Sequence, residues 1–97
     1  MRIISRKALR TYWTRHPESE EVLCDWFRKV KANSAKNLAE LRKTFPTADP
    51  VGDCIVFNVG GNNYRVIVHM DYELQIISIR GVLSHAEYSK EKWKADC

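Results

Sequence analysis

The ten residues Ile79-Arg80-Gly81-Val82-Leu83-Ser84-His85-Ala86-Glu87-Tyr88 hold four side chains that can carry charge or move protons: Arg80, His85, Glu87 and Tyr88. Arg80 interrupts the apolar run Ile76-Ile77-Ser78-Ile79. A permanent charge there must meet solvent, a partner or a ligand. Ser84 followed by Glu87 is the pattern of a capping box, in which hydroxyl and carboxylate each satisfy a free backbone donor where a helix begins. His85 and Tyr88 then fall in its first turn, and their spacing puts both on one face. A helix start offers free N–H groups and a positive partial charge, where a phosphate can settle. Arg65 and Arg80, on the strands before it, can add forked hydrogen bonds to phosphate oxygens.

One reaction that these residue types can serve is RNA cleavage. Cleaving RNA without a metal requires loss of the 2′-hydroxyl proton, neutralisation of charge on the phosphorane and protonation of the leaving 5′-oxygen, and His, Tyr and Arg can supply all three. His16, His69 and His85 stand far apart in the sequence with no spaced pair of carboxylates beside them, so no metal or other cofactor is expected. Each residue also has a plainer reading. His85 can be a solvated first-turn residue, Tyr88 a half-buried aromatic with a wet hydroxyl, and Arg65 a strand residue facing water. His69, on an apolar strand, reads as structural, and His16 belongs to a helix end.

The elements that must position these groups follow from periodicity. Arg2 to Ile4 can form an opening strand, and the pairs Ala8/Tyr12 and Leu9/Trp13 then mark a helix ending near His16-Pro17. A second helix opens around Glu18 to Glu21, runs through Val22, Leu23, Trp26, Phe27 and Val30, and carries Arg28, Lys29 and Lys31 in its last turn, the charge order that suits the helix dipole. Asn37 can cap a short turn holding Leu38, Leu41 and Phe45, which Pro46 and Pro50 end. Alternation at Ile55, Phe57 and Val59, then Gly60-Gly61-Asn62-Asn63, then Tyr64 to Met70 is the mark of a hairpin, and Gln75 to Leu83 supplies a third strand. The stripe Tyr12, Trp13, Trp26 and Phe27 falls at helical spacing and reads as core, not as a base-stacking platform.

At 97 residues the chain is expected to form one domain spanning residues 1–97, and its 44% hydrophobic and 29% charged residues are those of a globular protein. Sixteen Lys and Arg against 12 Asp and Glu leave a net charge of +4, an excess that admits a polyanionic partner without requiring one. Cys24, Cys54 and Cys97 are odd in number, widely spaced and free of any Cys-x-x-Cys pair, so neither a disulfide framework nor a zinc knuckle is expected. Charges recur in Met1 to Lys7 before any apolar stretch long enough for a signal peptide or membrane span. The expectation is a reducing cytoplasm and no membrane.

The block Val56-Phe57-Asn58-Val59-Gly60-Gly61-Asn62-Asn63-Tyr64-Arg65-Val66-Ile67 resembles the central hairpin of the HigB branch of the RelE-like toxins. Residues 79–88 are similar to that family's closing strand and its His-x-x-Tyr segment, and Met1 to Leu9 resembles its opening. The specific motifs run from residue 54 to 88, with only length and pattern between 10 and 45. The resemblance implies an α+β, RelE-like fold: a small twisted, mainly antiparallel sheet with two N-terminal helices packed on one face, a short C-terminal helix and a concave active face. It implies a type II toxin that cleaves mRNA in the ribosomal A site, independently of metal. It also implies neutralisation by a HigA-type antitoxin with a helix-turn-helix domain, through which alone operator DNA is reached.

Carried over residue by residue, the resemblance makes Arg65 the contact to the scissile phosphate and Arg80 a transition-state clamp. Tyr88 becomes the late tyrosine that stacks or exchanges a proton, and His85 a candidate acid or base. RelE itself has two lysines before the turn where this chain has Val56 and Asn58, so those lysine roles are not inherited and His85 becomes the better candidate for the base. Asn58 stays a candidate RNA contact, and Lys36, Arg42 and Lys43 can lend charge from the preceding loop. Arg6, Lys7, Arg10 and Arg15 are either a ribosomal RNA contact or the solvated face of the first helix. Two rival functions use the same surface: a non-catalytic RNA- or ribosome-binding module, and a co-repressor acting with its antitoxin on operator DNA.

Overall fold

The computed structural model describes residues 1–97, the side chain of Asp96 excepted. In chain order the elements are β1 (Arg2–Ile4), α1 (Arg6–Arg15), a 3-10 turn (Pro17–Ser19), α2 (Glu20–Ala32), α3 (Leu38–Thr44), β2 (Asp49–Val51), β3 (Cys54–Val59), β4 (Tyr64–Asp71), β5 (Ile76–Ser84), α4 (His85–Ser89) and a closing 3-10 segment (Lys92–Asp96). The five strands form one sheet in the order β1-β5-β4-β3-β2, antiparallel throughout except that β1 runs parallel to β5.

Strand alternation sorts side chains onto two faces. Phe57 and Val59 of β3, Val66 and Val68 of β4, and Ile77 and Ile79 of β5 face α1 and α2 and join Leu9, Leu23, Trp26 and Val30 in the main core. Leu9, Leu23, Val30 and Leu41 are wholly inaccessible, and each such burial contributes roughly 1.5–3 kcal/mol. Trp26 and Phe45 both meet the Phe57 ring edge-on, at 5.3 and 5.1 Å between centroids; of the aromatic stripe Trp26 is buried, and Tyr12, Trp13 and Phe27 are partly buried against the core, as the spacing predicts. The N-terminal ammonium donates to the carbonyls of Lys31 and Asn33 at 2.9 and 2.7 Å, which satisfies the open end of α2 and docks β1 beside it.

The β3–β4 hairpin turns on Gly60 and Gly61, both at positive φ (64° and 68°), as the sequence anticipates. Asn37 caps α3 by accepting from the Glu40 N–H at 2.9 Å.

Four expectations are corrected. Pro50 does not simply end a turn but lies in edge strand β2 opposite Ile55, a position that tolerates a missing N–H. Arg80 falls at a bulge: Val68 pairs with Ile79 and Ile67 with Gly81, so Arg80 has no opposite residue. His69 is exposed and not structural, because alternation carries it to the face away from the helices. Cys54 and Cys97 are joined in a disulfide across 43 residues, leaving Cys24 free. The chain's last residues fold back along β3, with the Asp53 N–H donating to the Cys97 carbonyl at 3.0 Å. Sequence spacing carries no trace of such a long-range return. Among the described residues, no helix is long and apolar enough to cross a membrane.

Candidate active site

The face of the sheet away from α1 and α2 carries a second, smaller apolar cluster of Cys54, Val56 and Ile67, against which Leu83, Tyr88, Trp93 and Cys97 pack. Beside it lies Arg65, opposite Asn58 across the β3–β4 ladder and only 5% exposed. A charge so buried must be paired or hydrogen-bonded. The hairpin turn does this: Nη1 donates to the carbonyls of Asn62 (3.3 Å) and Tyr64 (3.0 Å), while Nη2 donates to the Asn62 side-chain oxygen. The turn that makes the hairpin therefore also aims the guanidinium.

Nη2 reaches His85 Nδ1 at 3.4 Å as well. A guanidinium can only donate, so in this contact Nδ1 is the accepting partner. This is the longest of the arginine's contacts and the first that an incoming phosphate oxygen can replace. The Arg65 guanidinium carbon also lies over the Tyr88 ring, 5.0 Å from its centroid. His85 is placed by the sheet: Ser84 pairs with Tyr64, and the ladder extends one step further as the His85 N–H donates to the Asn63 carbonyl at 3.0 Å. The predicted capping box is present, with Ser84 Oγ accepting from the Glu87 N–H and Glu87 accepting from the Ser84 N–H.

That capping overturns one expectation. The N–H groups of His85 and Glu87 are already engaged, the acidic Glu87 sits in the first turn, and α4 has only five residues. The start of α4 is thus no phosphate cradle. A cavity of about 340 Å³ is lined by Arg42, Asp49, Val56, Asn58, Arg65 and Tyr88. Arg42 enters it from α3, its Nε donating to the Ala48 carbonyl at 3.0 Å. Tyr72 lines a separate cavity, and its phenol is held above its ordinary value by burial, opposed by the Arg42 charge.

The structure thus brings together Arg65, His85, Tyr88, Arg42 and Asn58. Arg80 stands apart, exposed at its bulge three residues short of Leu83, the residue opposite Arg65, or about 10 Å along the strand. Lys36 lines a different cavity with Tyr72 and Glu73, and Lys43 is exposed. Arg6 lies over the Phe27 ring at 4.9 Å, Lys7 lines a cavity between α1 and β5, and Arg10 is exposed; α1 packs on the opposite face of the sheet. These three therefore stand apart from the cluster around Arg65. Sequence reasoning missed Asn62, whose side chain holds Arg65, along with Asp49 and Trp93. For Asn62 the only signal was its place in the turn, which reads as backbone geometry alone.

The sequence profile of the HigB toxin family, described as the RelE-like toxic component of a toxin–antitoxin system, matches residues 19–91. This chain belongs to that family. The "mRNA interferase toxin HigB" of Escherichia coli (strain K12) is 32% identical to it over 91 residues, covering 91% of this chain and 88% of the relative. The "mRNA interferase HigB" of Escherichia coli O6:H1 is 29% identical over 93 residues, covering 93% and 90%. The α+β architecture is that of a RelE-like toxin, and the family match contains every residue of the cluster around Arg65. Trp93 and Cys97 lie beyond the end of the match.

Proposed function

We propose that this chain, a single domain, is the toxin of a toxin–antitoxin pair and cleaves mRNA on the translating ribosome. The observation that carries the reading is the contact of Arg65 with both His85 and Tyr88 at the edge of a cationic cavity, in a family whose relatives are named mRNA interferases. In this reaction the 2′-oxygen attacks the neighbouring phosphorus, the O2′–P bond forms, the P–O5′ bond breaks, and a 2′,3′-cyclic phosphate and a free 5′-hydroxyl result. One proton leaves the 2′-hydroxyl and one is gained by the 5′-oxygen.

Arg65 offsets the charge that grows on the phosphorane, and Arg42 adds to it from the far wall of the cavity. A phosphate oxygen that draws Nη2 away from His85 frees Nδ1 to take the 2′-hydroxyl proton, so substrate binding itself readies the base. Tyr88 acts through its hydroxyl on the leaving oxygen. Arg80 meets the message further along. Arg6, Lys7 and Arg10, on the opposite face, suit contact with ribosomal RNA, since a chain docked in the ribosome has RNA on more than one side. The ribosome as site of action places the protein in the cytoplasm. The partner is a HigA-type helix-turn-helix antitoxin that covers the cationic face and links the complex to operator DNA.

The test is cleavage of a defined message on programmed ribosomes by the purified chain, with 5′ ends mapped. Cuts within the A-site codon are expected. Binding without cutting would support the non-catalytic module instead.

A further inference from the structure

We infer that Trp93 is a positioning residue that holds Tyr88 in the site, and that the Cys54–Cys97 disulfide holds Trp93. This rests on the reading of Tyr88 as a residue of the reaction. The helix carrying Tyr88 has five residues, too few to be stable by its own hydrogen bonds, so something else must fix the ring. The Trp93 indole lies on it nearly parallel, at 4.9 Å between centroids and 15° between planes. Its Nε1–H donates to the Tyr88 carbonyl at 3.0 Å. Arg65 already sits over the ring, and a guanidinium and a parallel indole cannot share one face of it. Both faces are therefore taken. Tyr88 is clamped edge-out, left to work through its hydroxyl and not by stacking on a base.

The tail has its own fastening. Glu91, in the left-handed region at φ 60°, reverses the chain after α4 and lays Trp93 back over it. Cys97 then bonds Cys54 on β3, and its carbonyl accepts from the Asp53 N–H at 3.0 Å. Gly52 leaves the space: a Cβ there would collide with the Cys97 carbonyl. Cys54, Val56, Ile67, Tyr88, Trp93 and Cys97 are thus one packed unit, with a covalent bond at one end and the reactive phenol at the other. A dithiol undoes the bond by giving up two electrons and two protons, leaving Cys54 and Cys97 as thiols and itself as a disulfide. The disulfide form is the faster nuclease.

The experiment compares the full-length wild type with Trp93→Ala, Trp93→Phe and Cys97→Ser. Two readouts are taken: single-turnover cleavage on programmed ribosomes across chain concentrations, and the ring resonances of isotope-labelled Tyr88 in the chain alone. Losing the stacking partner should remove the ring-current shift of Tyr88 and cut the cleavage rate up to about tenfold, with half-saturation little changed. Trp93→Phe should restore part of both, and Cys97→Ser or dithiol should fall between wild type and Trp93→Ala. A Trp93→Ala chain that keeps the wild-type rate, or keeps the Tyr88 shift, overturns the inference. Should that variant not fold, a Cys97→Ser chain with unchanged rate and shift overturns it equally. A wild type that cleaves nothing refutes the nuclease reading instead, and the ring shifts then still decide whether Trp93 and Cys97 hold Tyr88.

Discussion

Arg65→Lys separates charge from geometry at the centre of the site. The substitution keeps the positive charge but replaces a rigid fork by an ammonium with three donors. In the native protein the guanidinium meets four acceptors: the Asn62 and Tyr64 carbonyls, the Asn62 side chain and His85 Nδ1. Lysine cannot serve them all, and at least one hydrogen bond to a charged, nearly buried group is lost, at about 2 kcal/mol. That is a fraction of a total stability of about 5–15 kcal/mol, so the variant should fold, with a melting temperature about 10 °C lower. The rate should suffer more. A point charge drawn toward the turn carbonyls no longer presents paired donors to the phosphorane, and losing one such donor typically costs about 10²–10³ in rate. The assay is single-turnover cleavage on programmed ribosomes beside a thermal melt of the same preparation. Asn62→Ala completes it: because Asn62 acts only by aiming Arg65, it should slow the wild type about tenfold and add almost nothing in the lysine variant. A folded Arg65→Lys protein with the wild-type rate would sink the assignment and leave Arg65 as a structural support for the hairpin.

Three further outcomes are expected. His85→Gln and Tyr88→Phe should each slow cleavage by on the order of 10²–10⁴ while leaving melting temperature nearly unchanged, and full activity in His85→Gln would show that the base lies elsewhere. Replacing Arg6, Lys7 and Arg10 together by Ala should weaken ribosome binding and flatten its salt dependence; an unchanged slope would mark α1 as merely solvated. Burial holds the Tyr72 phenol above its ordinary 10.0, so the stability that this group lends is complete below pH 10.0 and drains as pH rises through the raised value. Tyr72→Phe should therefore move the alkaline unfolding midpoint upward, and a midpoint that stays put would remove Tyr72 from the account.

Local chemistry was legible and long-range return was not. The Gly60-Gly61 turn, the Asn37 cap and the Ser84/Glu87 box are set within a few residues of themselves, and each stands where the sequence puts it. The pairing of His85 with Tyr88 on one face was equally readable, because helical spacing fixes it. Arg65 was harder. A strand arginine beside a turn ordinarily faces water, and the partners of this one are Asn62 and a C-terminal segment that begins 20 positions away in the sequence. Arg80 reads as a member of the site until the bulge moves it out of register. The disulfide was invisible because the two cysteines are brought together by the tail's path, not by their spacing.

The parallel pairing of β1 with β5 has a consequence for how the molecule comes into being. Arg2 pairs with Ile76, so the first strand made cannot find its neighbour until the last strand exists. Closing so large a loop is slow compared with helix or hairpin formation, and the β3–β4 hairpin can form well before it. Until β5 is in place the Arg65 hairpin also lacks His85 and Tyr88, the residues that contact its guanidinium. Closing the sheet and completing the cluster are thus one event: the strand for which β1 waits is the strand that delivers His85 and Tyr88 to Arg65.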